Sequence, residues 1–393
     1  MTVIAYFPDL SIAASDLLLS MDRPGGAPVQ LPSIGSTYNL KDLSLSPTNL
    51  VRKIHRLKHG RGEVVMLIAG TVSHLKKLVD SFELIRAGRY KLPPRLAATL
   101  NESDPLSVLH TASVVTDLGG YSEFEFIAFH KARRLDTRYD VNRRFDVAPY
   151  FGETLFAGSG ASDLSRWLCQ RGEQYLDHPA LVGETTEVKR FRVLNLIPSL
   201  LLEEDTRESL KTINNGVGGY YESFEVDKNG LYPQDAVLTV FASLETNGKD
   251  VHVELRRMFF HLYADDWLFI ISLSGEPRRL IAGQTVRVDM TEFDFYKVKP
   301  LLYEGEPPNW DIPRLAVQMP SAKHWRLTLY RETNTDTPQL KRFSHVRGAK
   351  QPIISISVKN QTMNLTLEQK RLEYYMNRFP KRPADKHLVT VHV

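Results

Sequence analysis

Apolar and polar positions alternate in short runs from the start of the chain. Thr2 to Phe7 and Ser11 to Leu19 are two such runs, separated by the turn pair Pro8-Asp9, and they predict a hairpin at the N-terminus. Residues 22–48 are rich in Pro, Gly and Ser and read as an exposed insertion. Val51 to Leu57 and Val64 to Ile68 predict a strand pair around His59-Gly60-Arg61-Gly62. The period then changes. Leu75, Leu78, Val79, Phe82 and Ile85 fall on one helical stripe behind Ser73, a residue type suited to an N-cap.

Further along, residues 88–118 are mixed and carry Pro93, Pro94 and Pro105. Strands are expected at Ser122 to Phe129 and Glu153 to Ala157, and helices at Ser162 to Leu176 and Arg192 to Ile213, the latter with Pro198 near its first turn. Tyr220 to Asp227 and Ala236 to Leu244 return to strand, with Asp227-Lys228-Asn229-Gly230 as the turn between them. Strands, a helix, strands, two helices and strands are the order expected of an α+β fold, an antiparallel sheet pair with helices packed outside.

Beyond residue 246 nearly every run is strand-like: Val251 to Tyr263, Trp267 to Leu273, Thr285 to Asp289, Trp325 to Tyr330, Ile353 to Val358 and Leu388 to Val393. A helix is expected only at Thr366 to Arg378, and Pro307, Pro308, Pro313 and Pro320 mark a long loop. The expected division is residues 1–245 and a β-rich C-terminal domain over 246–393.

Composition narrows the class. At 393 residues, 42% hydrophobic and 24% charged, the chain has material for two or three globular domains. Its 50 Lys and Arg against 46 Asp and Glu leave +4, too slight an excess to argue for nucleic acid. Arg133, Arg134, Arg138, Arg143 and Arg144 alternate with Asp136, Asp140 and Asp146, the pattern of a solvated face. Cys169 is the single cysteine and sits in a helical run beside Leu168, as a packing residue would. No stretch reaches the ~18 apolar residues of a membrane span, and the N-terminus has no secretory pattern, so a cytoplasmic protein is expected. His55, His59, His74, His252 and His261 lack metal-ligand spacing, and Gly158-Ser159-Gly160 lacks the rest of a phosphate loop; neither a metal nor another cofactor is expected.

The candidate chemistry begins at Thr2. Removal of Met1 would give Thr2 a free α-amine, with an unperturbed pKa near 8, able to act as general base for its own hydroxyl. Asp16 closes the second run, Lys53 lies within Asn49 to Leu57, and Ile68-Ala69-Gly70-Thr71 leads into the expected helix. With these residues in this order, the chain resembles the N-terminal-nucleophile hydrolases of the proteasome β-subunit and bacterial HslV kind. The resemblance covers roughly residues 2–245 and implies a four-layer αββα sandwich. It implies Thr2 as nucleophile, Lys53 as the cation that eases alkoxide formation, Asp16 as its anchor, and Gly70 with Thr71 at the oxyanion and substrate-binding turn.

Phe156-Ala157-Gly158-Ser159-Gly160-Ala161-Ser162 matches the family's Gly-Ser-Gly turn, which makes Ser159 the expected relay beside the Thr2 amine. The family's Asp-x-x-Ser-Gly-Gly is replaced by Asn214-Asn215-Gly216-Val217-Gly218-Gly219; Asn214 takes the place of the acid and Val217 that of the serine. The expected activity is amide-bond hydrolysis, of peptide bonds in a peptide or protein substrate. The alternatives are a catalytically inactive scaffold of the same fold, acting as a binding or assembly module, and a small-molecule amidase. The resemblance further implies a homo-oligomer, built through the helices at 73–86, 162–176 and 192–213, and leaves room for an activating partner; neither nucleic acid nor membrane is expected.

Overall fold

The computed structural model describes residues 3–21, 30–33, 46–59, 62–69, 112–115, 121–130, 146–158, 160–176, 183–203, 217–227, 230–247, 250–273, 275–300, 305–331, 339–346, 353–376 and 389–392. The helix expected at 73–86 lies outside them, as do residues 88–111 and 116–118 and most of the 22–48 insertion.

The chain is α+β, with strands predominating. Its first half contains β1 (Ile4–Phe7), β2 (Ile12–Asp16), β3 (Leu18–Met21), β4 (Ser46–Arg52), β5 (Ile54–His59), β6 (Gly62–Ala69), β7 (Ala112–Val115), β8 (Tyr121–His130), β9 (Asp146–Ala148) and β10 (Gly152–Ala157). Helices α1 (Ala161–Leu176) and α2 (Thr186–Glu203) follow. The second half adds β11 (Tyr221–Asp227), β12 (Gly230–Pro233), β13 (Val237–Asn247), β14 (Asp250–Ala264), β15 (Trp267–Leu273), β16 (Arg278–Leu280), β17 (Thr285–Asp289) and β18 (Phe293–Pro300). It ends with α3 (Ile312–Gln318), β19 (His324–Arg331), β20 (Gln339–Val346), β21 (Ile354–Lys359), β22 (Thr362–Leu367), α4 (Gln369–Met376) and β23 (Val389–His392).

A six-stranded antiparallel sheet runs β12-β11-β2-β1-β10-β9. The expected N-terminal hairpin is its centre, with Ile4 opposite Ser15 and Tyr6 opposite Ala13. A ten-stranded sheet runs β23-β20-β19-β13-β14-β15-β18-β4-β3, with β16 paired to β14. Two smaller sheets are β5-β6-β8-β7 and β17-β22-β21. The 245/246 division falls inside β13, and β4 of the first half pairs in parallel with β18 of the second.

Twice the chain leaves one sheet for another within a single residue. The run Ser11 to Leu19 splits at Leu17: β2 belongs to the six-stranded sheet and β3 to the ten-stranded one. The Leu17 N–H accordingly bonds the Tyr220 carbonyl at 3.0 Å, and its carbonyl accepts from Val51 N–H at 2.9 Å. The run Val51 to Leu57 splits at Lys53, between β4 in the ten-stranded sheet and β5 in the four-stranded one.

Two hydrophobic clusters hold the layers together. The first joins Val3 and strands β1 and β2 (Ala5, Phe7, Ala14) to Leu168 of α1 and to Val193, Leu196 and Ile197 of α2, and reaches Phe259, Ile270 and Val298 of the ten-stranded sheet. Cys169 is half-buried against it. The second lies between the other face of the long sheet (Leu238, Phe260, Phe269, Ile271) and the three-stranded sheet, with Leu315 and Leu372 from the short helices. Trp267 is buried in this cluster, and Trp310 and Trp325 pack on it. Strand β15, Trp-Leu-Phe-Ile-Ile-Ser-Leu, is buried along its whole length because clusters cover both of its faces.

Four expectations are corrected. α2 begins at Thr186, not Arg192, because the Thr185 hydroxyl accepts the Val188 N–H and Glu187 sits in the first turn; Pro198 therefore lies well inside the helix. The turn after Asp227 leads into β12 before β13. The helix expected from Thr366 begins only at Gln369, since Met363, Leu365 and Leu367 bury alternate side chains as part of β22. The proline-marked loop contains α3, whose N-cap Asp311 accepts the Arg314 N–H at 2.9 Å.

α1 lies close enough to the turn before β10 that a Cβ on Gly172 would stand 1.9 Å from the Pro149 carbonyl oxygen. That oxygen is backbone and cannot swing aside, so Gly172→Ala is expected to lower stability by about 1–3 kcal/mol. Denaturant titration measures it; an unchanged midpoint would show that α1 does not rest on this turn.

Candidate active site

Asp16 and Lys53 meet where the chain changes sheets. Lys53 Nζ lies 2.5 Å from Asp16 Oδ1 and donates to the Leu18 carbonyl at 2.9 Å. The same Oδ1 accepts the Val3 N–H at 2.8 Å, and Oδ2 accepts the Gly218 N–H at 3.0 Å. Asp16 N–H in turn bonds the Val3 carbonyl at 3.1 Å. Both side chains are buried, at 2% exposure for Lys53 and 0% for Asp16. The carboxylate accepts from two backbone N–H groups and, beside the ammonium, favours the charged form of Lys53. Burial pulls the Lys53 pKa below its usual range, while Asp16, and Glu222 beyond it, push it back up.

The local sequence explains the geometry. Asp16 ends β2, just before the chain changes sheets at Leu17, and its side chain bonds the Val3 and Gly218 N–H groups. Gly218 and Gly219 adopt φ of 117° and 76°, a region that L side chains rarely enter, and so present the Gly218 N–H to Asp16. Lys53 is the one residue between β4 and β5.

A second buried ion pair stands beside the first. Arg52 Nε donates to Glu222 Oε2 at 3.0 Å; Tyr263 OH donates to the same oxygen at 3.2 Å and Ser15 Oγ to Oε1 at 3.1 Å. The Arg52 guanidinium lies 4.8 Å from the Tyr263 ring centre and 5.8 Å from that of Phe224, and donates to the Asp266 carbonyl in the β14–β15 turn.

Tyr220, next to Gly219, carries a third polar contact. Its hydroxyl is 2.7 Å from His261 Nδ1, and His261 Nε2 is 2.7 Å from the Gln234 carbonyl oxygen. A carbonyl only accepts, so Nε2 carries the proton and Nδ1 accepts from the tyrosine. Burial lowers the His261 pKa from 6.5 to about 4, with Arg326 and His324 adding to the depression and the Gln234 carbonyl and Asp235 opposing it.

Of the residues expected at the site, the structure brings Asp16 and Lys53 together. Thr2, Gly70, Thr71, Ser159 and Asn214 lie outside the described residues. Val217 is buried against Gly160, where an added Cβ would meet its Cγ2 at 2.5 Å. The sequence reading overlooked Arg52, Glu222, Tyr263 and the Gly218 N–H. The available signal was Glu222 as a charged residue on the same strand face as Tyr220 and Phe224.

Among the described residues no group of three or more His, Cys, Asp or Glu is placed to hold a metal ion, and no helix is long and apolar enough to cross a membrane. No protein-family model, curated protein or solved structure matches the chain. The functional reading therefore rests on the geometry above.

The His261 pKa sets the sign of a pH dependence. The unfolded chain takes up a proton near pH 6.5 that the folded protein refuses until about pH 4. Stability from the neutral ring is thus fully present above 6.5 and is lost as pH falls toward 4, about 3 kcal/mol in all. Denaturation midpoints from pH 7.5 to 4 are expected to fall more steeply in the wild type than in His261→Gln; parallel curves would contradict the assignment.

Proposed function

We propose that the chain is an N-terminal-nucleophile hydrolase that cleaves amide bonds, foremost peptide bonds, with Thr2 as nucleophile. The observation that carries this reading is that one carboxylate oxygen, Asp16 Oδ1, holds both Lys53 Nζ and the Val3 N–H. Residue 2 is one peptide from Val3, so its Cα is about 3.8 Å from that of Val3. The proposal assigns the lysine fixed there to the hydroxyl of residue 2. Supporting the reading are the layers on either side: α1 and α2 on one face of the six-stranded sheet and the ten-stranded sheet on the other, the α-β-β order of an αββα sandwich, although most strands of the second sheet come from beyond residue 245.

The chemistry follows from placement. Once Thr2 is the first residue, its α-amine takes the hydroxyl proton as the oxygen attacks the amide carbonyl carbon. Lys53, held cationic by Asp16, stabilises the oxygen as it gives up that proton. The amine returns the proton to the leaving nitrogen, the C–N bond breaks, and the Thr2 ester left behind is hydrolysed by water. Gly70 and Thr71 are proposed to line the oxyanion and substrate turn, and Ser159 and Asn214 to surround the amine. Peptide or protein substrates, an activating partner and a homo-oligomer belong to the same proposal.

One observation favours a second reading, a non-catalytic scaffold. Val217 stands where the resembled family has a serine, and its methyl groups are packed against Gly160. No hydroxyl can act from that position.

A peptide epoxyketone separates the two, because it closes a ring on a hydroxyl and its own α-amine. Intact-mass and peptide mapping of the wild type are expected to show an N-terminal Thr2 carrying one adduct, and Thr2→Ala none. A free N-terminal Thr2 that stays unmodified would support the scaffold reading, and adduct on Thr2→Ala would end the nucleophile assignment.

A further inference from the structure

We infer that Glu222 is a positioning residue for the Asp16–Lys53 pair, and that through it the second half of the chain is built into the site. Glu222 binds the residue immediately before each member of that pair: Ser15 through Oε1 at 3.1 Å and Arg52 through Oε2 at 3.0 Å. One buried carboxylate thus ties the end of β2 to the end of β4, the two places where the chain changes sheets. The Glu222 side chain is wholly buried and that of Arg52 is 5% exposed.

The remaining partners come from the second half. Tyr263 at the end of β14 donates to Glu222 Oε2 and lies under the Arg52 guanidinium. Asp265 and Asp266, both at positive φ (48° and 66°), shape the β14–β15 turn that offers the Asp266 carbonyl to Arg52. A purely structural clamp would need only these contacts. The charge on Glu222 does more: its carboxylate is fixed, buried, between the residues that adjoin Asp16 and Lys53, where a negative charge favours the protonated form of Lys53 in the same sense as Asp16. Among the described residues, the charged groups that act on Lys53 are Asp16 on β2 and Glu222 on β11, with Arg52 and Tyr263 bound to Glu222. Arg52 offsets the cost of burying Glu222, so the cluster of two cations and two carboxylates is neutral as a whole.

The catalytic consequence rests on the reading of Lys53 as the activating cation; the electrostatic claim does not, and it is tested without turnover. The probe is the full chain labelled with [13Cε]lysine, with the Lys53 resonance assigned by its loss in Lys53→Met, and its titration followed by NMR. Glu222→Gln is expected to move the Lys53 midpoint down by about one pH unit. Tyr263→Phe, which removes a hydrogen bond and no charge, is expected to leave it within a few tenths of a unit. Should Glu222→Gln strand Arg52 as a lone buried cation and unfold the protein, Arg52→Met/Glu222→Gln is compared with Arg52→Met, so that the loss of the arginine's own opposing charge cancels, and the double variant is expected to titrate below the single one. An unmoved Lys53 midpoint in the folded Glu222 variant would reduce Glu222 to a structural clamp and overturn the inference, whatever epoxyketone labelling shows about Thr2.

Discussion

The structure depends most on one buried ion pair. Taking a carboxylate and an ammonium out of water costs several kcal/mol for each, and their attraction offsets this only with good geometry and further hydrogen bonds. Asp16 and Lys53 have both: a 2.5 Å contact, two backbone N–H groups on the carboxylate and a carbonyl on the ammonium. Each of those bonds fixes a different piece of chain. The first strand is held at Val3, the β3 start at Leu18, the turn into β11 at Gly218, and the β4–β5 break at Lys53 itself. Three sheets meet at this pair, and an apolar substitute could not satisfy the same backbone groups.

The second ion pair extends the argument to the whole chain. Arg52 and Glu222 are 170 residues apart in sequence, and Tyr263 and Asp266 close around them from β14 and its turn. With β4 paired to β18 and β13 running through residue 245, the β-rich second half is continuous with the first half around the pair. It contributes side chains to the surroundings of the site as well as bulk behind it.

Much of the fold was legible because local patterning and tertiary placement agree. Hairpin β1–β2, strands β8, β14 and β15 and helix α1 follow from period and turn residues at nearly their observed positions. Where the reading failed, long-range contacts decided. Nothing local in Val51 to Leu57 marks a break at Lys53; the break exists because β4 pairs with β18 and β5 with β6. Thr366 and Leu367 read as the start of a helix until β21 supplies a partner. Asp16 and Lys53 were singled out by the order of motifs that carries the family resemblance, but the bond between them spans 37 residues, and the Gly218 N–H that completes it comes from 202 residues away. Glu222 was visible only as a charged residue in an apolar strand, since its partners lie on β2, β4 and β14.

The central claim is that the Asp16–Lys53 pair serves the residue just before Val3, and Lys53→Met tests it most directly. Methionine keeps the length and apolar stem of lysine, and Asp16 keeps its two backbone donors; loss of the cation is expected to cost about 3–5 kcal/mol, so folding and the release of Met1 are verified before labelling. The rate of adduct formation between a peptide epoxyketone and Thr2 should then fall by about a hundredfold or more, the size of effect seen when a group stabilising a developing oxyanion is lost. A folded Lys53→Met protein that labels at the wild-type rate would contradict the account and leave the pair a structural device alone.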